Sequence, residues 1–209
     1  MINAASALKE GLKSCLFYQY HASSFREKLR GCYHELARQG LPLEYSGYFI
    51  PGTQPIDKTG KGSPHLAYAF ASSLTQVEVL PRQGIVKVVK LGLAHDVGRV
   101  ISPLTLAGQI EGGAVMALGF ALKEEFRPNE TKKWSSYKIP RIGDMPKMVT
   151  LFVEEPTSEG PFGAKGIGEV PTVGPAVAIA NAITRSCGFR FFRLPITPEQ
   201  IRGKFTAAY

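Results

Sequence analysis

Residues Pro161-Phe162-Gly163-Ala164-Lys165-Gly166-Ile167-Gly168-Glu169-Val170-Pro171 deliver a single carboxylate at the end of a glycine-rich loop, just before an Ala/Val/Ile-rich helix. Glycines at 163, 166 and 168 permit backbone angles closed to other residues and let the main chain approach a ligand closely, so the loop is suited to wrap a ligand and aim Glu169 at it. A plain turn or an anion site uses the same composition, and a purely structural loop is the competing reading. A second candidate is Gln109, set with Glu111 between Gly108 and Gly112-Gly113. A primary amide carries two donors and an acceptor, so Gln109 on a glycine-lined helix face suits the polar edge of a planar ligand; the alternative is a Gln bonding across a helix contact. His95-Asp96 at a strand end is either a catalytic pair or a hydrogen-bonded strand terminus. No GxSxG is present, and His21, His34, His65 and His95 are scattered. Cys15, Cys32 and Cys187 show no CxxC or Cys/His spacing, so no metal-ligand set is expected and the thiols read as reduced and partly buried. Glu124-Glu125 reads as a helix-terminal pair, without the aromatic platform of a sugar site.

The elements that must position these residues begin with a helix carrying Ala7, Leu8, Leu12 and Cys15 at helical spacing. A second helix is signalled by a Ser24/Glu27 capping box, the stripe Phe25, Leu29, Cys32, Tyr33 and Leu36, and a stop at Gly40. Strand character follows at Leu43–Ile50, a polar loop at 51–63, and then a hairpin of 66–80 and 84–94 turning at Pro81-Arg82-Gln83-Gly84. A helix over 104–125 carries two adjacent glycines, each costing about 1 kcal/mol in propensity, which implies close approach of another backbone or a ligand. Alternation predicts strands over 147–155 and 189–194. Helices are predicted over 175–185 and from Thr197-Pro198-Glu199, with Pro at the first position. The order αα, then β-rich, then mixed predicts an α+β fold, a mixed sheet with packed helices, over a single segment 1–209.

With 209 residues, 44% apolar and 20% charged, the composition is that of a globular protein. No uninterrupted apolar run suits a membrane span, and Met1 to Ala5 lacks the features of a secretory signal, so a cytoplasmic protein is expected. The net charge of +8 invites a nucleic-acid reading. Its distribution argues against one, because the early bases alternate with Glu10, Glu27 and Glu35, and the late arginines alternate with Phe189, Phe191 and Phe192 as on a two-faced strand. The surplus charge equally suits an acidic partner surface or a cofactor phosphate.

Six motifs in order carry a resemblance: His95-Asp96-Val97-Gly98-Arg99-Val100-Ile101-Ser102-Pro103, Gly108-Gln109-Ile110-Glu111-Gly112-Gly113, Leu118-Gly119-Phe120-Ala121-Leu122-Lys123-Glu124-Glu125, Tyr137-Lys138-Ile139-Pro140, Gly163-Ala164-Lys165-Gly166-Ile167-Gly168-Glu169 and Leu194-Pro195-Ile196-Thr197-Pro198-Glu199. Together, over roughly Tyr45 to Arg202, they resemble the C-terminal part of the molybdenum hydroxylases, the xanthine dehydrogenase and aldehyde oxidase family. The resemblance implies a molybdopterin-binding large subunit, with Glu169 as the catalytic general base and Gln109 hydrogen-bonding the pterin. It also implies that Lys165, Gly166, Ile167 and Gly168 line the metal site. It further implies hydroxylation of an electron-poor carbon in a purine, another N-heterocycle or an aldehyde, with electrons leaving through iron-sulfur clusters and usually FAD on other domains or subunits. Two positions depart from the family pattern: Ser102 stands where Asn is frequent, and Val170 where Pro commonly follows the base. Family large subunits are several times longer, so the expectation is a C-terminal piece partnered by the rest of the molybdopterin subunit and by iron-sulfur and flavin partners, in an assembly that suits a homodimer. A non-catalytic structural or interaction module keeping the same fold is the competing reading.

Overall fold

The computed structural model of the chain describes residues 2–13, 24–44, 46–48, 50 and 52–206, which fall into two compact units, 1–66 and 67–209. The sequence reading treats the chain as one segment. In the first unit, helix α1 (Ile2–Lys13) precedes α2 (Phe25–Arg38). The capping box forms as the spacing predicts: the Glu27 N–H donates to Ser24 Oγ at 3.3 Å and the Ser24 N–H to Glu27 Oε2 at 3.2 Å. At the other end Gly40 turns left-handed (φ +66°), and the N–H groups of Leu41 and Gly40 return to the carbonyls of Leu36 and Ala37 in a Schellman closure. Cys32 and Leu36 are buried on one side of α2. The strand expected over 43–50 does not form at its described positions. The pairing recorded in this unit is the single bridge of Gln54 with Ser63, so the aromatic run lacks a partner strand among the described residues. Cys15 and His21 lie outside the described residues, as does Tyr45, where the family-like stretch begins.

The second unit is built on a three-stranded sheet of order β1 (Ala71–Leu80), β2 (Ile85–Asp96) and β3 (Lys147–Val153). β1 and β2 form the expected antiparallel hairpin, from Leu80 opposite Ile85 to Ala71 opposite His95, with a bulge between Gln76 and Val77. β3 runs parallel to β2, which requires a crossover, and helix α3 (Pro103–Leu122) supplies it. α3 begins with Pro at its first position and buries Leu106, Ile110, Ala114, Ala117, Leu118 and Ala121, a stripe at spacings of three and four residues. By length and composition α3 is apolar enough to cross a membrane, but this stripe packs into the protein core. Helix α5 (Val170–Cys187) lies on β1 and β2 and against α3, burying Ala176, Ile179, Ile183 and Cys187. Ile110, Ile179 and Ile183 have no solvent exposure, and each such side chain stabilises the fold by about 1.5–3 kcal/mol. The short helix α4 (Trp134–Tyr137) lies between α3 and β3 along the chain, and α6 (Pro198–Thr206) is the last element.

Three features depart from the pattern read in the sequence. α5 starts at Val170, five residues before Pro175, because a proline in the first turn, Pro171, needs no amide partner there. Residues 189–194 are irregular, not a strand. Phe189, Phe191 and Leu194 pack on the core while Phe192 faces solvent, so the alternation records burial without a neighbouring strand. His95 is fully buried, with neither ring nitrogen hydrogen-bonded among the described residues, and burial holds the imidazole below its usual range, in the neutral form.

The adjacent glycines of α3 prove to differ. A Cβ on Gly113 would lie 2.6 Å from Pro171 Cβ, so the close approach of α3 to the first turn of α5 needs a residue without one, whereas a Cβ on Gly112 would meet nothing within 4 Å. Gly113→Ala gains about 1 kcal/mol of helix propensity but incurs about 1–3 kcal/mol of overpacking. Urea denaturation should therefore show net destabilisation for Gly113→Ala and stabilisation of up to about 1 kcal/mol for Gly112→Ala. Equal effects at the two positions would overturn this distinction.

Candidate functional site

The loop 157–169 is anchored where β2 ends. Beyond Asp96 the chain turns through Gly98 (φ +65°), whose hypothetical Cβ would sit 2.2 Å from the Gly163 carbonyl oxygen. Only glycine lets the two backbones meet there. They do so through a bridge of Gly98 with Ala164, with the Arg99 N–H donating to the Gly163 carbonyl at 3.0 Å and the Lys165 N–H to the Val97 carbonyl at 2.9 Å. The next turn is braced by Glu154, whose Oε1 accepts the Val100 N–H at 2.8 Å.

Behind this backbone zipper, Lys165 Nζ donates to Asp96 Oδ2 at 2.6 Å, the two side chains being 10% and 9% exposed. Burial works to raise the Asp96 carboxyl, but hydrogen bonds from Lys165 and the Gly98 N–H, with the charge of Lys165, outweigh it and hold the group below the usual carboxylate range. The sequence places Lys165 among the residues lining a metal site. In the structure its ammonium pairs with Asp96, and the residue also lines the cleft beside Gln109, Ile167 and Gly168. His95-Asp96 likewise separates into a core imidazole and a loop anchor. This ion pair is the feature that sequence reasoning missed. The only signal for it was an Asp and a Lys, each set in an otherwise apolar or glycine-rich run, which burial forces to find partners.

Of the remaining candidates, Gln109, Ile167 and Gly168 line one cleft, while Gly166 and Glu169 adjoin these residues in the chain without being part of its lining. Gln109, exposed on α3, donates from Nε2 to the Gly168 carbonyl at 2.7 Å, joining motifs 59 residues apart. Glu169 is the residue that caps α5 (φ −110°, ψ −10°), with its carbonyl accepting both the N–H and the hydroxyl of Thr172. Its exposed carboxylate makes no capping bond. Ile167 is half-buried against the core and fixes the loop between the two glycines. Gly163 has the left-handed angle expected of it (φ +84°), whereas Gly166 and Gly168 do not need one. A Cβ on either would meet nothing within 4 Å, and the same is true of Gly108 and Gly112. A cleft of about 460 Å³ opens beside these residues, lined in part by Arg99, Ser102, Thr105, Gln109, Ile167 and Gly168. Among the described residues no group of three His, Cys, Asp or Glu could hold a metal ion. The arrangement instead presents bare main chain, one amide and one uncommitted acid, donors and acceptors that fit a polar planar organic group.

The loop's anchorage depends on both ends of the buried pair. Asp96→Asn leaves the Lys165 ammonium in a dry site without its counter-charge and should cost about 3–5 kcal/mol in chemical denaturation, with Asp96→Asn/Lys165→Met recovering most of it. Because the folded carboxyl lies below its unfolded value of 3.8, the stabilisation is complete above that pH and is lost as the pH falls through the folded value. Unchanged acid sensitivity in the double variant would contradict this.

The molybdopterin cofactor-binding domain family matches residues 2–146 of the chain. The aldehyde oxidoreductase of Megalodesulfovibrio gigas is 34% identical over 175 residues, which is 81% of this chain and 19% of that protein. A probable subunit of the xanthine dehydrogenase of Bacillus subtilis is 34% identical over 173 residues, 81% of this chain and 23% of the relative. The crystal structure of the aldehyde oxidoreductase from Desulfovibrio desulfuricans superimposes with a TM-score of 0.75 at 34% identity, over 81% of this chain and 19% of that one. The chain thus spans about a fifth of the length of these relatives. The fold is the α+β arrangement of their molybdopterin-binding region, and the chain belongs to the molybdopterin cofactor-binding family of the molybdenum hydroxylases.

Proposed function

We propose that this chain forms one wall of the active site of a molybdopterin-dependent oxidoreductase, xanthine dehydrogenase-like, that hydroxylates a purine, another N-heterocycle or an aldehyde, with Glu169 as general base. The observation that carries the reading is the hydrogen bond from Gln109 to the Gly168 carbonyl. It sets the amide of α3 beside the residue that precedes the acid, across a surface where four glycines leave room for a ligand.

Bound molybdopterin supplies the redox-active metal, and the chain's residues supply shape, orientation and a proton acceptor. Gln109 keeps a second N–H and its carbonyl oxygen for the polar edge of the pterin while its other N–H holds the loop. Gly166 and Gly168 let that group lie against main chain, and Ile167 keeps the intervening turn from collapsing into the cleft. Glu169 extends from the first turn of α5 and takes up the proton released as the substrate carbon is oxygenated. Efficient proton transfer requires an acceptor at hydrogen-bond distance from the reacting group, a position that anchorage on both sides of the loop is suited to hold. The names of the relatives, an aldehyde oxidoreductase and a xanthine dehydrogenase subunit, support the substrate classes. The remaining walls belong to the rest of the molybdopterin subunit, and electron exit to iron-sulfur and FAD-bearing partners, in an assembly we place in the cytoplasm.

In the holoenzyme containing this chain, Glu169→Gln should lower hydroxylation by about 10²–10⁴-fold with molybdenum content unchanged, because the amide keeps the shape and lacks the acceptor. Near-wild-type turnover with full cofactor would reject Glu169 as the base and favour a non-catalytic role. Purified alone, the 209-residue chain should retain no molybdopterin and show no purine turnover. Stoichiometric molybdenum by elemental analysis of that material would overturn the one-wall reading.

A further inference from the structure

One residue before the anchoring Asp96, β2 carries a histidine that takes no part in holding the loop. His95 is fully buried, and neither Nδ1 nor Nε2 has a hydrogen-bond partner among the described residues. Side chains alternate along a strand, so His95 shares the core face with Leu91 and Leu93 while Asp96 turns away toward Lys165. Its cross-strand neighbours are Ala71 on β1 and Phe152 on β3, and Ser73 lies diagonal to it on β1. The hydroxyls of Ser73 and Thr75, on this same face, are buried and also lack a partner among the described residues. A Cβ on Gly174 would lie 2.6 Å from Ser73 Oγ, so the second turn of α5 closes over the patch.

No counter-charge is committed to this imidazole among the described residues. β1 presents only Ala71, Ser73 and Thr75 to that face. Diagonally on β3, Thr150 is neutral, and Glu154 is exposed with Oε1 accepting the Val100 N–H. From Val170 to Thr184 α5 has no titratable side chain, and Glu169 and Arg185 at its ends are exposed. Glu111, the charged residue of α3, is exposed too, and Asp96 and Lys165 neutralise each other on the far side of the strand. Burial alone therefore holds the ring below its usual 6.5. A proton added here would bring a charge that two hydroxyls cannot balance, and the ring must reach water to carry it. It cannot do so without its neighbours Asp96 and Val97, which hold Lys165 by a carboxylate and a carbonyl. We propose that His95 is an acid-sensitive latch: when the imidazole takes up a proton, the end of β2 leaves the sheet and releases the loop that carries Gly166 to Glu169. The latch acts on the anchorage of the loop and does not depend on Glu169 being the base.

In the open state the ring has its ordinary value of 6.5 and in the closed state a lower one, so the closed loop is fully stabilised above 6.5 and loses that stabilisation as the pH falls below it. This window lies above that of Asp96, whose contribution is complete above 3.8. Between about pH 7.5 and about pH 5, one such group can raise the opening equilibrium by up to about thirtyfold. Hydrogen exchange of the full chain, corrected for the intrinsic rate at each pH, should show protection of the Arg99 and Lys165 amides falling about ten- to thirtyfold over that range. The His95 imidazole resonance should shift over the same interval. His95→Leu, which fills the site with an apolar side chain, should reduce the change to less than about twofold. His34→Gln/His65→Gln, at exposed positions of the first unit, should leave it intact. Protection that stays constant down to about pH 5 overturns the proposal, and so does a fall of equal size in His95→Leu. Should that variant not fold, the wild-type titration decides: protection lost only below about pH 4 assigns the acid response to Asp96 and rejects the latch.

Discussion

The buried ion pair between Lys165 and Asp96 is the constraint on which the functional surface depends. A loop with glycines at 160, 163, 166 and 168 has much to lose on ordering, about 1–2 kcal/mol per residue for the backbone. The loop is fixed because a lysine in its middle has its ammonium drawn to the end of β2, where a carboxylate already held by the Gly98 N–H receives it. Neither charge is tolerable in that site alone. The pair therefore acts less as a source of net stability than as a specification: any other loop path strands one of the two. With the centre of the loop fixed, the backbone bonds of Gly163 and Lys165 follow, and the loop's far end is delivered to α5.

The glycines divide along the same line. Gly98 and Gly113 are demanded by the chain's own packing, one by a carbonyl and the other by Pro171, and Gly163 by its backbone angle. Gly108, Gly112, Gly166 and Gly168 are demanded by nothing within the described structure, since a side chain at each would find open space. Glycine at an ordinary backbone angle, with no neighbour to avoid, costs conformational entropy and returns nothing to the fold. Gly52, Gly143 and Gly203 are equally open, so openness alone marks no site; what sets these four apart is that they adjoin Gln109 and Glu169 in sequence.

Much of this was legible in the sequence because it rests on local rules. The capping box at Ser24, the Gly40 stop, the hairpin turn at 81–84 and the apolar stripe of α3 are decided by neighbours a few residues away. The aromatic run at 43–50 and the alternating Phe189–Leu194 misled for one reason: alternation reports which side chains are covered, and a strand also needs a partner, which only the tertiary fold provides. Gln109 and Glu169 could be named individually, but their connection through the Gly168 carbonyl spans 59 residues, and no spacing rule reaches that far. Lys165 is placed at the site by the resemblance, and its ion-pair partner lies on a strand 69 residues earlier, which no local rule reaches.

The position of Glu169 is itself an argument about what the fold gives up. Capping residues are usually Ser, Thr, Asp or Asn, whose short side chains turn back onto the free amides of the first turn, and a poor cap costs a helix about 1 kcal/mol. Glutamate is one methylene too long for that bond to form easily, and here it does not form; Glu169 is tied to the helix by its carbonyl and Thr172 instead. The Glu169 carboxylate takes no part in capping the first turn. An aspartate would have secured the helix and spent the acid. The glutamate leaves the acid outside the cap, on a first turn where Pro171 packs closely against Gly113, an arrangement consistent with the proposed role of proton acceptor.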